Sequence, residues 1–277
     1  MKKPYSRVYV EITNLCNRSC SFCPGTVRPG RQMTVEEFGL VAEKLRGVTD
    51  LLYYHLMGEP LTHPKLPEMI RLAGEMGFRS AVTTNGTLLP QRGRAVVEAG
   101  VYKVNISVHS FDEGSEESYV NYIRGCLEFA DMASRAGTIV VLRLWNNGCD
   151  GGRNERTIGM IRQAFPGQWV EGPRGIRIRE KLHLEHADRF AWPDMEAPDQ
   201  GDQVFCYGLR DHFGVLSDGR VVPCCLDREG ELTLGNLFEQ EIGKILANPR
   251  AKTMVEGFSC RKATEELCRK CGYARRF

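Results

Sequence analysis

Three cysteines stand close together in Cys16-Asn-Arg-Ser-Cys20-Ser-Phe-Cys23. Three thiolates at this spacing suit three corners of a cubane iron–sulfur cluster, with a fourth iron left open to a small molecule. A tetrahedral zinc site is the other reading, and it requires a fourth ligand from elsewhere in the chain. A second set lies far downstream. Of the 11 cysteines, six fall between positions 206 and 271, and only Cys126 and Cys149 are isolated. In a reducing compartment, clustering of this kind points to metal binding or chemistry rather than disulfides.

The elements that must position these thiols follow from periodicity. Val8, Val10 and Ile12 alternate within residues 7–13, which predicts a strand that delivers the first cysteine loop at its C-terminal edge. Thr34-Val-Glu-Glu37 is a capping box, and Phe38, Val41, Ala42 and Leu45 follow at helical spacing. Further strands are expected at 50–56, 80–84, 103–109, 138–145 and 176–182. Helices are expected at 66–76, 91–99, 117–136 and 155–165. Six β-α units in series imply an α/β fold with a parallel sheet, either open and doubly wound or curved and barrel-like. Both put ligands at the C-terminal ends of the strands.

The composition shifts at 187–204, which reads as a linker between a first domain at 1–186 and a smaller one at 205–277. In the latter, 213–216 and 220–223 flank Ser217-Asp-Gly219 as a β-hairpin, and a short helix is expected near 238–246. This segment is too small for a large core of its own and calls for a metal staple. The charges nearly cancel, 37 Lys+Arg against 35 Asp+Glu, which argues against a protein that coats nucleic acid or an anionic membrane. There is no apolar signal segment and no apolar run of membrane-spanning length, so a cytoplasmic location is expected.

Taken together these residues resemble the radical S-adenosylmethionine (SAM) superfamily. Cys-x3-Cys-x2-Cys follows the first strand, with an aromatic residue, Phe22, before the last cysteine. Met57-Gly58-Glu59-Pro60 follows the second strand, where that superfamily has a Gly-Gly-Glu-like motif. Thr83-Thr84-Asn85-Gly86 follows the third strand, and Ser107 lies on the fourth. The resemblance covers about residues 7–185 and implies a partial (β/α)6 barrel. It further implies that the open iron binds the amino and carboxylate groups of SAM, whose cleavage gives a 5′-deoxyadenosyl radical that removes a substrate hydrogen. On this reading Gly58 and Glu59 meet the methionyl amino group, and Thr84, Asn85 and Ser107 approach the ribose or carboxylate. Phe22, Met57 and Arg143 join them as cofactor-binding candidates.

The second cysteine set resembles a twitch domain, the shortened form of the SPASM domain. That implies one auxiliary [4Fe–4S] cluster held by Cys206, Cys224, Cys268 and Cys271, with a structural zinc on the same four residues as the other reading. Cys225 and Cys260 are alternative ligands, and Cys225 reads better as buried structure. The spacing is similar to that of the 2-deoxy-scyllo-inosamine dehydrogenase type, in which a ring alcohol is oxidised and the auxiliary cluster takes an electron.

Other residues remain open to more than one reading. His109 is a base, a substrate ligand or a structural histidine. Arg177, Arg179 and Lys181 point into the barrel if Ile176 and Ile178 pack outward, and would then suit an anionic group. Residues 146–154 form a Gly-rich stretch read as a lid, and Cys149 within it is a candidate hydrogen-atom donor, the role that would make an epimerase. Cys126 reads as core. The expected function is oxidation of a polar small molecule, with two [4Fe–4S] clusters, SAM and a one-electron reductant such as flavodoxin or ferredoxin. The alternatives are a peptide-modifying enzyme and a zinc-stapled binding module. Fifteen residues precede Cys16, so an N-terminal peptide-recognition domain is not expected. No nucleic-acid partner is expected either.

Overall fold

Parallel pairing in chain order organises the first half of the molecule. The structure, a computed structural model, describes residues 3–111, 114–173 and 175–276. Strands β1 (Arg7–Val10), β2 (Leu51–Tyr54), β3 (Arg79–Thr84), β4 (Lys103–Ser107) and β5 (Ile139–Asn147) lie side by side. Each is followed by a helix: α1 (Val35–Leu45), α2 (Leu66–Glu75), α3 (Leu89–Glu98), α4 (Glu116–Arg135) and α5 (Arg153–Ala164). Beyond β5 the chain forms β6 (Val170–Gly172), β7 (Gly175–Arg179) and β8 (Leu182–Asp188), and β8 pairs in parallel with β5. The partial (β/α)6 barrel is therefore β1 to β5 plus β8.

The capping box forms as the sequence dictates. The Glu37 N–H donates to Thr34 Oγ1 (3.1 Å), and the Thr34 N–H donates to Glu37 Oε2 (2.9 Å). Alternation then sorts each strand into two faces. Val8, Val10, Leu52, Tyr54, Val104 and Ile106 are buried in one core with Phe38, Val41 and Ala42 of α1 and Phe129 and Ala130 of α4. Burial of each such large side chain stabilises the fold by about 1.5–3 kcal/mol. The opposite faces of these strands carry Tyr9, Tyr53, Asn105 and Arg143 into the barrel interior.

The sheet extends past the barrel at both edges, to 11 strands in all among the described residues. At the β1 edge, β9 (His212–Val215) pairs in parallel with β1, and β10 (Arg220–Val222) and β11 (Gly235–Asn236) continue antiparallel. The expected 213–223 hairpin is thus a continuation of the barrel sheet. Three short helices, α6 (Ile242–Leu246), α7 (Pro249–Ser259) and α8 (Glu266–Arg269), follow it in the chain, with α6 in contact with α7.

The sixth strand differs from expectation. Residues 176–182 contain a reverse turn at Glu180-Lys181, so β7 runs antiparallel to β8, and β8 continues into the stretch read as linker. Arg179 consequently reaches the outer helix layer, where it pairs with Asp131 of α4 (2.8 Å), and Arg177 is exposed. The expected alternation runs across this turn, which carries no Gly, Pro or Asn to mark it, so Arg179 leaves the interior face while Arg177 lies opposite His183 of β8. The rest of 187–204 is largely irregular but attached: Asp194 pairs with Arg228 (3.0 Å), and Arg189 donates to the Ser21 carbonyl (3.2 Å). No helix among the described residues is long and apolar enough to cross a membrane.

Candidate active site

Every motif singled out in the first half of the sequence arrives at one end of the sheet, the C-terminal ends of β1 to β5. The loop after β1 holds Cys16, Cys20 and Cys23, with the Cys23 N–H on the Cys20 carbonyl (3.0 Å) and Cys20 Sγ 3.4 Å from the Ser110 carbonyl oxygen. Cys16 and Cys23 are solvent-exposed and Cys20 is half-buried. Three thiols on one open loop leave room for a cluster corner without a protein ligand, so the loop fits a SAM-binding [4Fe–4S] cluster.

The second motif is locked beneath this loop. Gly58 adopts φ +77°, and a Cβ there would stand 2.4 Å from the Thr13 carbonyl oxygen, so only glycine fits. The Glu59 N–H donates to the Leu15 carbonyl (2.8 Å), next to Cys16. The Glu59 carboxylate turns inward: Oε1 accepts from the Leu61 N–H (2.9 Å) and Oε2 from the Asn85 N–H (2.6 Å). Burial pushes this carboxyl up to about 7, against the pull of those N–H groups. Glu59 therefore joins the β2 and β3 motifs to each other. Met57 is buried beside it.

Asn85 continues the chain of contacts. Its Nδ2 donates to Asn17 Oδ1 (2.9 Å) and lies 4.0 Å from Cys16 Sγ, while its Oδ1 accepts from the Thr87 N–H (3.0 Å). The Thr84 hydroxyl is also used internally, accepting from the Gly86 N–H (3.0 Å). From below, Tyr122 of α4 donates its hydroxyl to the Asn85 carbonyl (2.7 Å). Cys126, one helical turn on, is buried against Gly86, where an added Cβ would come within 2.8 Å of its sulfur. Its thiol is pushed up to about 12 by burial, as a core cysteine should be.

Beside the loop lies a cavity of about 430 Å³, lined in part by Phe22, His109, Trp145, Cys149, Arg153 and Arg189. Phe22 packs on the His109 ring at 5.0 Å between centroids. His109 Nδ1 sits 3.0 Å from the Arg143 carbonyl oxygen, which holds the imidazole against β5. Cys149 enters from the Gly-rich turn that leads into α5, where Asp150 accepts from the Asn154 N–H (3.0 Å). Ser107 and Arg143 are register partners on β4 and β5. The Arg143 guanidinium stacks on Trp145 (4.6 Å) and pairs with Glu185 of β8 (3.2 Å).

Deeper in the interior, Tyr9 packs against Tyr53, His55 and His212 at 5.1–5.5 Å. Asn105 is fully buried, with Nδ2 on Thr83 Oγ1 (3.2 Å), and its Oδ1 has no hydrogen-bonding partner among the described residues, nor does His55 Nδ1. Burial, with Arg143 and Arg7 nearby, depresses His55 to about 3, so its ring is neutral at working pH.

The second cysteine set lies together. Cys206, Cys224, Cys268 and Cys271 line one small cavity of about 30 Å³, walled otherwise by apolar groups such as Val204, Phe258 and Leu267. Burial raises all four thiols, and Cys268 is raised further by its neighbours Cys206 and Cys271. Asp227 also borders the cavity, but its carboxylate is committed to the N–H groups of Gly230, Glu231 and Leu232 (2.9–3.1 Å). Four half-buried thiols facing one largely apolar cavity fit, as a donor set, a [4Fe–4S] cluster. Cys225 faces the other way, packed with Tyr9 against Leu56, Leu216 and Val222, and Cys260 is exposed.

The sequence reading missed Glu11, Arg28, Asn17 and Tyr122, which hold the motifs in place. Only Tyr122 left a signal: it lies four residues before Cys126, on the face of a helix that covers the third strand's motif.

The family model described as the Radical SAM superfamily matches residues 10–148, and one described as an iron–sulfur cluster-binding domain (SPASM) matches 206–272. A probable GTP 3',8-cyclase of Methanocella arvoryzae is 36% identical over 276 residues, covering 87% of this chain and 88% of that protein. A GTP 3',8-cyclase of Chlorobaculum tepidum is 35% identical over 109 residues, and the match spans only 33% of its length. In fold, the chain is similar to BtrN in complex with AdoMet and 2-DOIA, with a TM-score of 0.65 at 19% identity over 98% of this chain and 94% of that one. These findings set aside the zinc-stapled binding module. With the first model spanning half its length and the second covering the four-cysteine segment, the chain belongs to the radical SAM superfamily and is an enzyme of SAM and two [4Fe–4S] clusters.

Proposed function

We propose that this enzyme dehydrogenates a hydroxylated small molecule held in the barrel interior. The observation that carries the reading is the convergence of Cys206, Cys224, Cys268 and Cys271 on one cavity. Four thiolates account for every iron of a four-iron cluster, so that cluster has no open site for substrate and suits electron transfer. When bound, SAM with its cluster supplies a hydrogen-abstracting radical, and the second cluster supplies an electron acceptor. Cys16, Cys20 and Cys23 would hold the first cluster. Gly58 and Asn85 shape the wall beside that loop, and the cavity of Phe22 and His109 would take the rest of SAM.

The chain's own groups then select the substrate. The Asn105 amide oxygen and His55 Nδ1 are buried polar atoms without protein partners among the described residues, which favours a hydroxylated ligand, since a hydroxyl can both donate and accept. The Arg143–Glu185 pair offers a donor and an acceptor on the facing wall. Cys149 opens on the cavity of Phe22, and in this reading its thiol is not consumed in the reaction.

The test is anaerobic turnover with reductant, SAM and a panel of cyclitols and sugars in deuterated water. A product lighter by two hydrogens, with one SAM spent per product, is expected, and the Cys149→Ala variant should match the wild type. A product heavier by about one mass unit, with one solvent deuterium on carbon, abolished in Cys149→Ala, would replace dehydrogenation by epimerisation.

A second reading is favoured by the identity to the M. arvoryzae protein over most of both chains: a nucleotide substrate, whose phosphates would meet the cations Arg7, Lys103 and Arg143 of the barrel strands. Inclusion of GTP in the panel separates the two. Consumption of GTP without loss of two hydrogens would put the second reading first.

A further inference from the structure

The Glu11 carboxylate, fully buried just after β1, accepts five hydrogen bonds. Arg28 Nη1 and Nη2 donate to its two oxygens (2.8 and 2.7 Å), the Met57 N–H donates to Oε2 (3.1 Å), and the N–H and Oγ of Ser217 donate to Oε1 (3.1 and 2.9 Å). These donors come from three separate segments: the chain just past Cys23, the Met57-Gly58-Glu59 motif, and the turn of the C-terminal hairpin. Arg28 is itself 8% exposed and donates its Nε–H to the Arg228 carbonyl (2.7 Å). The same stretch is fastened again on either side. Thr26 Oγ1 donates to Glu229 (3.0 Å), and Arg31 donates to the Ser217 carbonyl (2.8 Å).

A buried ion pair is a poor way to gain stability, since apolar residues of similar volume do as well or better. Its bidentate geometry instead fixes distance and angle. We propose that Glu11 and Arg28 are positioning residues for SAM: they hold the cysteine loop and the Met57-Gly58-Glu59 motif to one centre and, through Ser217, tie that centre to the domain of the second cluster. The proposal rests on the assignment of Cys16, Cys20 and Cys23 to the SAM-binding cluster. It makes SAM affinity, rather than cluster assembly, depend on a pair that touches neither sulfur nor cofactor.

The test compares the full-length, cluster-loaded wild type with the Glu11→Gln/Arg28→Met double variant and with Ser217→Ala. The double variant removes both charges and leaves neither buried alone, and Ser217→Ala removes a single hydroxyl contact. The readouts are iron and sulfide per chain, and the SAM dissociation constant from the change SAM induces in the EPR spectrum of the reduced protein. The expected result is full iron content in both variants, with the dissociation constant raised tenfold or more in the double variant and two- to fivefold in Ser217→Ala. Full iron content with affinity within twofold of the wild type in both variants would overturn the proposal. So would equal loss of iron from both clusters in the double variant together with unchanged affinity in Ser217→Ala, since the pair would then be structural. A wild-type spectrum insensitive to SAM would instead overturn the assignment of the cysteine loop, and the proposal with it.

Discussion

Gly58→Ala is the smallest change that should separate the position of the SAM motif from the integrity of the clusters. An added Cβ would stand 2.4 Å from the Thr13 carbonyl oxygen and 2.9 Å from two backbone atoms of Asn14, where real Cβ atoms keep at least 3.0 Å and ordinarily 3.4 Å. The backbones must therefore part by about 0.6–1.0 Å, and neither side can yield by turning a side chain. The left-handed φ adds about 1–2 kcal/mol of strain for alanine. The displaced segment carries Glu59, whose N–H holds the Leu15 carbonyl and whose carboxylate holds Asn85. A misplacement of about 1 Å in a positioning element costs about 100-fold in rate, or about 2.7 kcal/mol. The expected outcome is a fall of that size in reductive SAM cleavage, measured as 5′-deoxyadenosine released under anaerobic conditions, with iron content unchanged because no cysteine is touched. Gly77→Ala is the control. Gly77 has φ +87° but nothing within 4 Å of an added Cβ, so it carries the dihedral strain without the clash and should cleave SAM normally. A Gly58→Ala rate within threefold of wild type, or equal losses in both variants, would refute the reasoning.

Three further outcomes follow from the same geometry. Cys268→Ala should lower iron from about eight to about four per chain and abolish product while 5′-deoxyadenosine still forms; an unchanged iron count would remove Cys268 from the ligand set. Tyr122→Phe leaves the Asn85 carbonyl without its 2.7 Å donor, so the KM for SAM should rise several-fold at an unchanged iron content and with about 1 kcal/mol of stability lost; an unchanged KM would show that α4 does not position the third strand's motif. His55 and His212 are held neutral by burial, with pKa values depressed to about 3 and about 4. Their folded pKa values lie below the ordinary 6.5, so the unfolded chain takes up protons first as pH falls. The stability they contribute is whole above about 6.5 and lost as pH drops towards 4. The melting temperature should fall between pH 7 and 5, and less steeply in His212→Gln; a flat profile would contradict it.

What the sequence made legible was what is local. The Val8, Val10 and Ile12 alternation, the Thr34 box and the cysteine spacing each lie within a few residues, and each is reproduced in the structure. The turn at Glu180-Lys181 was invisible because it uses no residue that turns require, and so the sixth parallel strand begins only at Leu182. The pairing of β9 with β1 joins residues about 205 positions apart, and the Ser217–Glu11 contact spans 206; no pattern in either segment announces the other. The same limit applies inside the site. The kind of residue at Glu59 was legible, but the direction of its carboxylate was not, because that depends on the N–H groups of Leu61 and Asn85 delivered by a different strand. Cys224 and Cys225 show the converse. The two neighbouring thiols lie in the bend and turn just after β10, which sends Cys224 to the four-cysteine cavity and Cys225 to Tyr9. Residues that carry chemistry therefore announce themselves by type and spacing, whereas those that aim them come from distant strands and emerge only when the sheet is assembled. Glu11 is the sharpest instance: an ordinary polar position in a strand pattern, yet the point at which the cysteine loop, the second motif and the C-terminal hairpin are held together.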